Sequence, residues 1–181
     1  MSFIVLMFRI IYFILPVYFA NMLPVIVKNL DLLNVPVDFS YKIHGSYIFG
    51  KTKTYRGILF GTLAGIFIVL IQKLLYNFQF FSNISLIDYS NISVIILGFF
   101  MGFGAMFGDL CESFIKRRLN YPSGKSFFPY DQIDFILGAM FFSYFYLPNL
   151  FYWSLIILIT PILHLGINII AYKFNLKDEP W

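Results

Sequence analysis

Asp109, Glu112, Ser113 and Lys116 stand at i, i+3, i+4 and i+7, so a helix drawn through them stacks carboxylate, hydroxyl and ammonium groups on one stripe. After a short loop, Pro129 favours a helix start, and Asp131 and Asp134 again share a face at i, i+3. Two helices that turn carboxylates toward each other suit a hard cation such as magnesium, which takes oxygen ligands and substrate phosphates rather than thiolates. The basic groups beside them meet phosphate oxygens through charge-assisted hydrogen bonds. Phosphate chemistry is therefore what these residue types support. The blander reading is that Lys116, Arg117 and Arg118 stop a hydrophobic helix and pair with nearby acids. It leaves Asp109, on the glycine-rich side of that helix, without a purpose.

A second basic run, GKTKTYRG from Gly50 to Gly57, opens the next hydrophobic stretch upstream. Backbone amides at a helix start, a threonine hydroxyl and three cations make an anion cradle there. It lacks the GxxxxGK[ST] spacing of a P-loop, and taken alone it reads equally as a membrane anchor. Cys111 is a lone cysteine, which excludes an internal disulfide and a thiolate zinc site, and it reads as a packed residue. His44 and His164 lie far apart with no metal spacing. His164 reads as an interior partner of Asn168 at i+4.

The elements that must position these residues are membrane spans. Hydrophobic residues make up 60% of the 181, aromatic residues 22% and charged residues 12%, more apolar surface than a soluble core of this size can hide. A helix needs roughly 20 apolar residues to cross the hydrocarbon core. The expected fold is all-α, a single membrane domain over 1–181 with about five spans, near 3–27, 57–75, 92–115, 133–147 and 151–172. The first stretch lacks a basic leader and is too long for a cleaved signal, so it is expected to be retained. Leu147-Pro148-Asn149 makes the last two spans a tight hairpin. Glycines 57, 61 and 65, with pairs 98/102 and 104/108, form small-residue stripes that let helix backbones approach.

Eleven of the thirteen Lys and Arg residues fall in 28–56, 116–132 and the tail, all on one side of a five-span bundle. The loops 76–91 and 148–150 carry none, leaving Arg9 and Lys73 within or at the end of spans. By the positive-inside rule the amino terminus is outside the plasma membrane and the carboxyl terminus is cytoplasmic. Eight of the nine acidic residues lie on the same side, Asp88 being the exception. An orientation signal alone needs only cations, so the clustered acids point to a cytoplasmic-side active site. The sequons Asn83-Ile-Ser85 and Asn91-Ile-Ser93 would face outward, though such tripeptides are common by chance.

Gly108-Asp109, Ser113, Lys116-Arg117, then Pro129, Asp131-Gln132 and Asp134-Phe135 together resemble the signature of the membrane CTP-dependent cytidylyltransferases. The DQxDF run is similar to that of their short archaeal form, the CDP-archaeol synthases. Further matches run almost end to end: Pro36-Val37-Asp38-Phe39, Lys53-Thr54 with Arg56-Gly57, Thr160-Pro161, His164, Asn168, Ala171-Tyr172-Lys173, Leu176-Lys177 and Pro180-Trp181. The chain departs from the family pattern at Lys51, Thr52 and Tyr55, and at His44, where an Asp is common.

The resemblance implies cytidylyl transfer from CTP to a lipid phosphate such as unsaturated archaetidic acid, giving CDP-lipid and pyrophosphate. It implies Asp109, Asp131 and Asp134 as catalytic carboxylates around Mg2+. Lys116 would act with them and, together with Lys53, Thr54, Arg56, Ser113 and Arg117, would contact the triphosphate. Asn21, Asp38 and Glu112 are secondary members of the set. Arg118 and Lys125 are expected at the headgroup surface. The partners implied are CTP, a membrane lipid phosphate and the bilayer, with no nucleic acid and a homodimer left open. The competing readings are a CTP-dependent polyprenol or phytol kinase, which would move the γ-phosphate to an alcohol, and an anion-binding transporter, whose sites usually lie in broken helices at the midplane.

Overall fold

The computed structural model describes residues 2–121 and 127–173. Lys125, Lys177 and the Pro180-Trp181 ending lie outside the described residues. Among the described residues, four helices are long and apolar enough to cross a membrane: α1 (Phe3–Ile26), α2 (Tyr55–Leu75), α4 (Val94–Arg118) and α6 (Leu150–Lys173). A shorter apolar helix, α5 (Asp134–Ser143), runs on through a 3-10 turn, Tyr144–Tyr146. The protein is thus an all-α integral membrane protein of about five spans, each within a few residues of its expected bounds. Two small elements had no clear hydrophobic signal: the short helix α3 (Gln79–Ile84), and a hairpin of β1 (Lys42–Ile43) and β2 (Ser46–Tyr47).

The glycine stripes fix the packing order. A Cβ on Gly65 would lie 2.6 Å from the Cα of Gly102, and one on Gly102 would lie 2.8 Å from the carbonyl oxygen of Thr62. On the other side of α4, a Cβ on Gly104 would lie 2.8 Å from the Cα of Ala139, and one on Gly108 would strike the carbonyl of Asp134. Only glycine allows backbones this near, so α4 is held between α2 and α5 at contact distance. The consequence for the site is direct: the backbone of Asp134 is pressed against α4 one residue before Asp109. α6 is peripheral, with 17% of its apolar window buried against 44% for α4. It docks through Trp153, whose indole N–H donates to the Leu147 carbonyl at 2.9 Å and whose ring meets Phe13 edge-on.

Gln72 and the two cations away from the basic end find partners within the protein, as groups facing hydrocarbon require. The Gln72 amide donates to the Tyr12 carbonyl at 2.5 Å and accepts from the Tyr89 hydroxyl at 2.9 Å. Arg9 and Lys73, the two cations away from the basic end, donate to the carbonyls of Ser85 and Tyr89 at 2.7 and 2.6 Å. Both are thereby tied to the loop that joins α2 to α4.

Candidate active site

The segment between α1 and α2 is built to deliver Lys53. Asp38, 5% exposed, accepts hydrogen bonds from the backbone amides of Ser40 (2.9 Å), Phe49 (2.9 Å) and Gly50 (3.0 Å). Burial alone would raise its pKa, but these amides outweigh it and hold the carboxyl below its usual range. Within the loop so closed, His44 (φ 50°) and Gly45 (φ 83°) are both left-handed, the pattern of a two-residue type I′ hairpin turn. His44 therefore serves the turn. Gly50 has φ 104°, which a side chain would strain, and the Arg117 side chain lies beside it. The chain returns through Val37 N–H to the Lys53 carbonyl (2.8 Å) and Tyr55 N–H to the Val35 carbonyl (3.1 Å).

From that footing the Lys53 Nζ reaches both carboxylate oxygens of Asp109, each at 2.6 Å. Burial lowers the pKa of this ammonium, but the carboxylates of Asp109, Asp134 and Glu112 outweigh the loss and raise it overall. On α4, Lys116 Nζ lies 2.5 Å from Glu112 Oε1 one turn earlier, and the Ser113 hydroxyl lies 3.5 Å from the other Glu112 oxygen. The stripe read from the i, i+3, i+4, i+7 spacing thus exists, with Glu112 and Ser113 buried. Asp109, Glu112 and Asp134 each offer an oxygen within 4.8 Å of the others. Three carboxylates at that spacing are a hard, all-oxygen donor set, which fits a divalent cation of the magnesium type.

Asp131 is held in a local geometry different from the helix its spacing predicts. It lies in a 3-10 turn (Tyr130–Gln132), and Ile133 at φ −123° interrupts the chain before α5 begins at Asp134. The two aspartates therefore do not share a helical face. Asp131 Oδ2 accepts from the Phe127 amide at 2.9 Å, and the residue stands outside the carboxylate group just described. Glu112, a secondary candidate in the sequence, takes the third place.

The rest of the expected anion cradle is engaged in structure. The Thr54 hydroxyl caps α2 by accepting from Gly57 N–H at 3.3 Å. Arg56, buried, donates to the Leu30 carbonyl and so ties the loop after α1 to α2. Arg118, expected at the headgroup surface, is engaged by the hairpin. Its guanidinium donates to the carbonyls of Ile43 (3.0 Å), Ser46 (3.2 Å) and Tyr47 (2.6 Å), clamping the hairpin to the end of α4. The His164 ring packs at a tilt against the Phe135 ring, with centroids 5.7 Å apart, and Asn168 is buried.

Beside the carboxylates lies a cavity of about 500 Å³ between the end of α1 and the start of α2. Asn21, Lys28, Lys51, Lys53, Arg56 and Asp109 line it. Lys51 belongs to the GKTKTYRG run read as an anion cradle, at a position that departs from the family pattern. Lys28 was not singled out by any motif, and its signal was only the excess of cations between the first two spans. The site as a whole pairs a positive cavity with a negative cluster, and Lys53 stands at the boundary.

The sequence matches the family model described as CarS-like: CDP-archaeol synthase, over residues 3–181. A CDP-archaeol synthase of Archaeoglobus fulgidus is 38% identical over 188 aligned residues, covering 97% of this chain and 98% of that one. One of Methanocaldococcus jannaschii is 40% identical over 178, with the same coverage of each. A solved structure, described as an intramembrane enzyme for archaeal membrane lipids biosynthesis, superposes with a TM-score of 0.70 at 28% identity. It covers 88% of this chain and 92% of that one.

Proposed function

This chain belongs to the CDP-archaeol synthase family, and on that footing we propose that it transfers the cytidylyl group of CTP to unsaturated archaetidic acid or a closely related lipid phosphate. A phosphate oxygen of the lipid attacks the α-phosphorus, the bond from that phosphorus to the α–β bridging oxygen breaks, and pyrophosphate leaves. The observation that carries this reading is that Asp109, one of the clustered carboxylates with Glu112 and Asp134, also lines a cavity walled by cations. Such a transfer needs no covalent nucleophile, only positioning and neutralisation of charge.

The cavity is large enough for a nucleotide, and its cations are of the kind that bind a triphosphate. Asp109, Glu112 and Asp134 would hold a divalent cation, most suitably Mg2+, which when bound would neutralise phosphate charge. Lys116 and Arg117 would add positive charge from α4, while Lys51 and Lys53 would do so from the loop. Ser113 would offer a hydroxyl at the same level. Asp38, Arg56 and Thr54 act one step back, fixing the loop that carries those lysines. We read the whole chain as one membrane domain, multi-pass in the plasma membrane, with this end cytoplasmic.

The test is an incubation of purified protein in detergent with Mg2+, lipid phosphates and lipid alcohols, and CTP labelled at the α or γ phosphorus. Label from the α position is expected in the lipid phosphate fraction, and the lipid panel names the substrate. Label from γ in a lipid alcohol would overturn the reading in favour of a kinase.

A further inference from the structure

Lys53 meets Asp109 in an unusual way, with its ammonium 2.6 Å from each oxygen of one carboxylate. That straddling position is the one a cation takes when a carboxylate binds it through both oxygens. Lys116, by contrast, pairs with Glu112 along its own helix at i, i+4, a geometry the helix itself supplies. Lys53 comes from another element, and its backbone is pinned: its carbonyl accepts from Val37 and its amide donates to Gly50. The part free to change partner is the four-carbon side chain. Its alternative is close by, because the cavity on its other side is walled by Lys28, Lys51 and Arg56, and Asp109 is the one carboxylate among its lining residues.

We propose that Lys53 and the divalent cation compete for Asp109, and that cation entry transfers the Lys53 ammonium from the carboxylate to the triphosphate in the adjoining cavity. This rests on the active-site reading above. Two positive groups cannot occupy the same pair of oxygens, and the displaced ammonium faces a cavity whose charged lining residues apart from Asp109 are the cations Lys28, Lys51 and Arg56. A triphosphate is what makes that position favourable. The two events are therefore linked: the cation frees Lys53, Lys53 strengthens nucleotide binding, and by reciprocity nucleotide binding strengthens the cation site. Lys53 then acts as a gate on the order of binding as well as a phosphate ligand.

The experiment is Mn2+ binding to the full-length protein in detergent without nucleotide, followed by calorimetry and by the spin resonance of free Mn2+. Lys53→Met removes the competitor and should bind Mn2+ on the order of tenfold more tightly than the unaltered chain, since a positive charge beside the site is lost. Lys53→Arg keeps the charge and should bind no more tightly than the unaltered chain. Asp109→Asn and Asp134→Asn should each weaken binding. In metal-free buffer Lys53→Met should also melt at a lower temperature and recover with Mn2+, as expected when binding is linked to folding. Unchanged or weaker Mn2+ binding in Lys53→Met, with the aspartate variants weakened, overturns the proposal and leaves the site reading intact. Tighter binding in Lys53→Arg overturns it as well, and this variant decides the matter if the Met variant fails to fold. Unchanged binding in both aspartate variants removes the metal centre itself and the proposal with it.

Discussion

At the scale of single residues the two aspartates of the DQxDF run part company. Asp134 shares a 4.8 Å group with Asp109 and Glu112, whereas Asp131 accepts a loop amide. Asp109→Asn should therefore reduce cytidylyl transfer by several orders of magnitude, because it removes a charge from the donor set and the partner of Lys53. Asp131→Asn retains an acceptor for the Phe127 amide and should lose far less. Steady-state rates of the two purified variants check this, and equal losses would return Asp131 to the ligand set. The stripe on α4 was legible because helical spacing alone aligns Asp109, Glu112, Ser113 and Lys116. The turn of Asp131 was not, since it depends on Ile133 leaving helical geometry just before α5, which no spacing records. Nor was the fate of Thr54 and Arg56 legible: a threonine and an arginine at a helix start suit a phosphate, but a cap and a buried tie to Leu30 use the same groups.

At the scale of elements, the site exists because α2, α4 and α5 touch through glycine, and because a clamped loop presents Lys53. The first cause was readable as four-residue glycine spacing. Gly102→Val should prevent α2 and α4 from approaching and abolish folded, active protein, because even a Cβ would lie 2.8 Å from the Thr62 carbonyl oxygen and 2.9 Å from its Cα. Gly166→Ala on α6, where a Cβ meets nothing within 4 Å, should leave activity unchanged and raise stability by up to about 1 kcal/mol through helix propensity. Thermal unfolding of the two variants in detergent separates them. The second cause was hidden, because a pair of two-residue strands has no periodicity and His44 gives no sign of a left-handed turn. Arg118→Ala removes three hydrogen bonds from the hairpin and a ring contact to Phe114. With Lys53 less well held, the KM for CTP should rise about tenfold, the equivalent of about 1.4 kcal/mol, with kcat changed much less. A fall in kcat alone would place Arg118 in contact with the reacting groups instead.

At the scale of the whole molecule, the lengths of α4 and α5 set the depth of the chemistry. Twenty-five residues make α4 about 38 Å long, whereas α5 and its 3-10 turn together reach about 20 Å, short of a hydrocarbon core of about 30 Å. Asp109 lies nine residues before the end of α4 at Arg118, so the carboxylates sit about 14 Å along the helix from its basic end. The polar groups thus form a recess among the helices. The cations gather round its mouth, on the loop before α2 and at the end of α4, while the loop after α2 holds Asp88, Ser90 and Asn91 in a small hydrogen-bonded turn. If charge asymmetry orients the bundle, the mouth faces the cytoplasm, where CTP is made. Cys111, which the sequence suggested was a packed residue, is instead exposed on α4, and replacing it by Ser gives a background for single-cysteine labelling that should itself be close to neutral in activity. On this background a Ser90→Cys variant should react with an impermeant maleimide in right-side-out vesicles, and a Lys42→Cys variant should react only after the membrane is permeabilised. The reverse pattern would turn the bundle over and place the recess on the outer face, where a soluble nucleotide pool could not supply it.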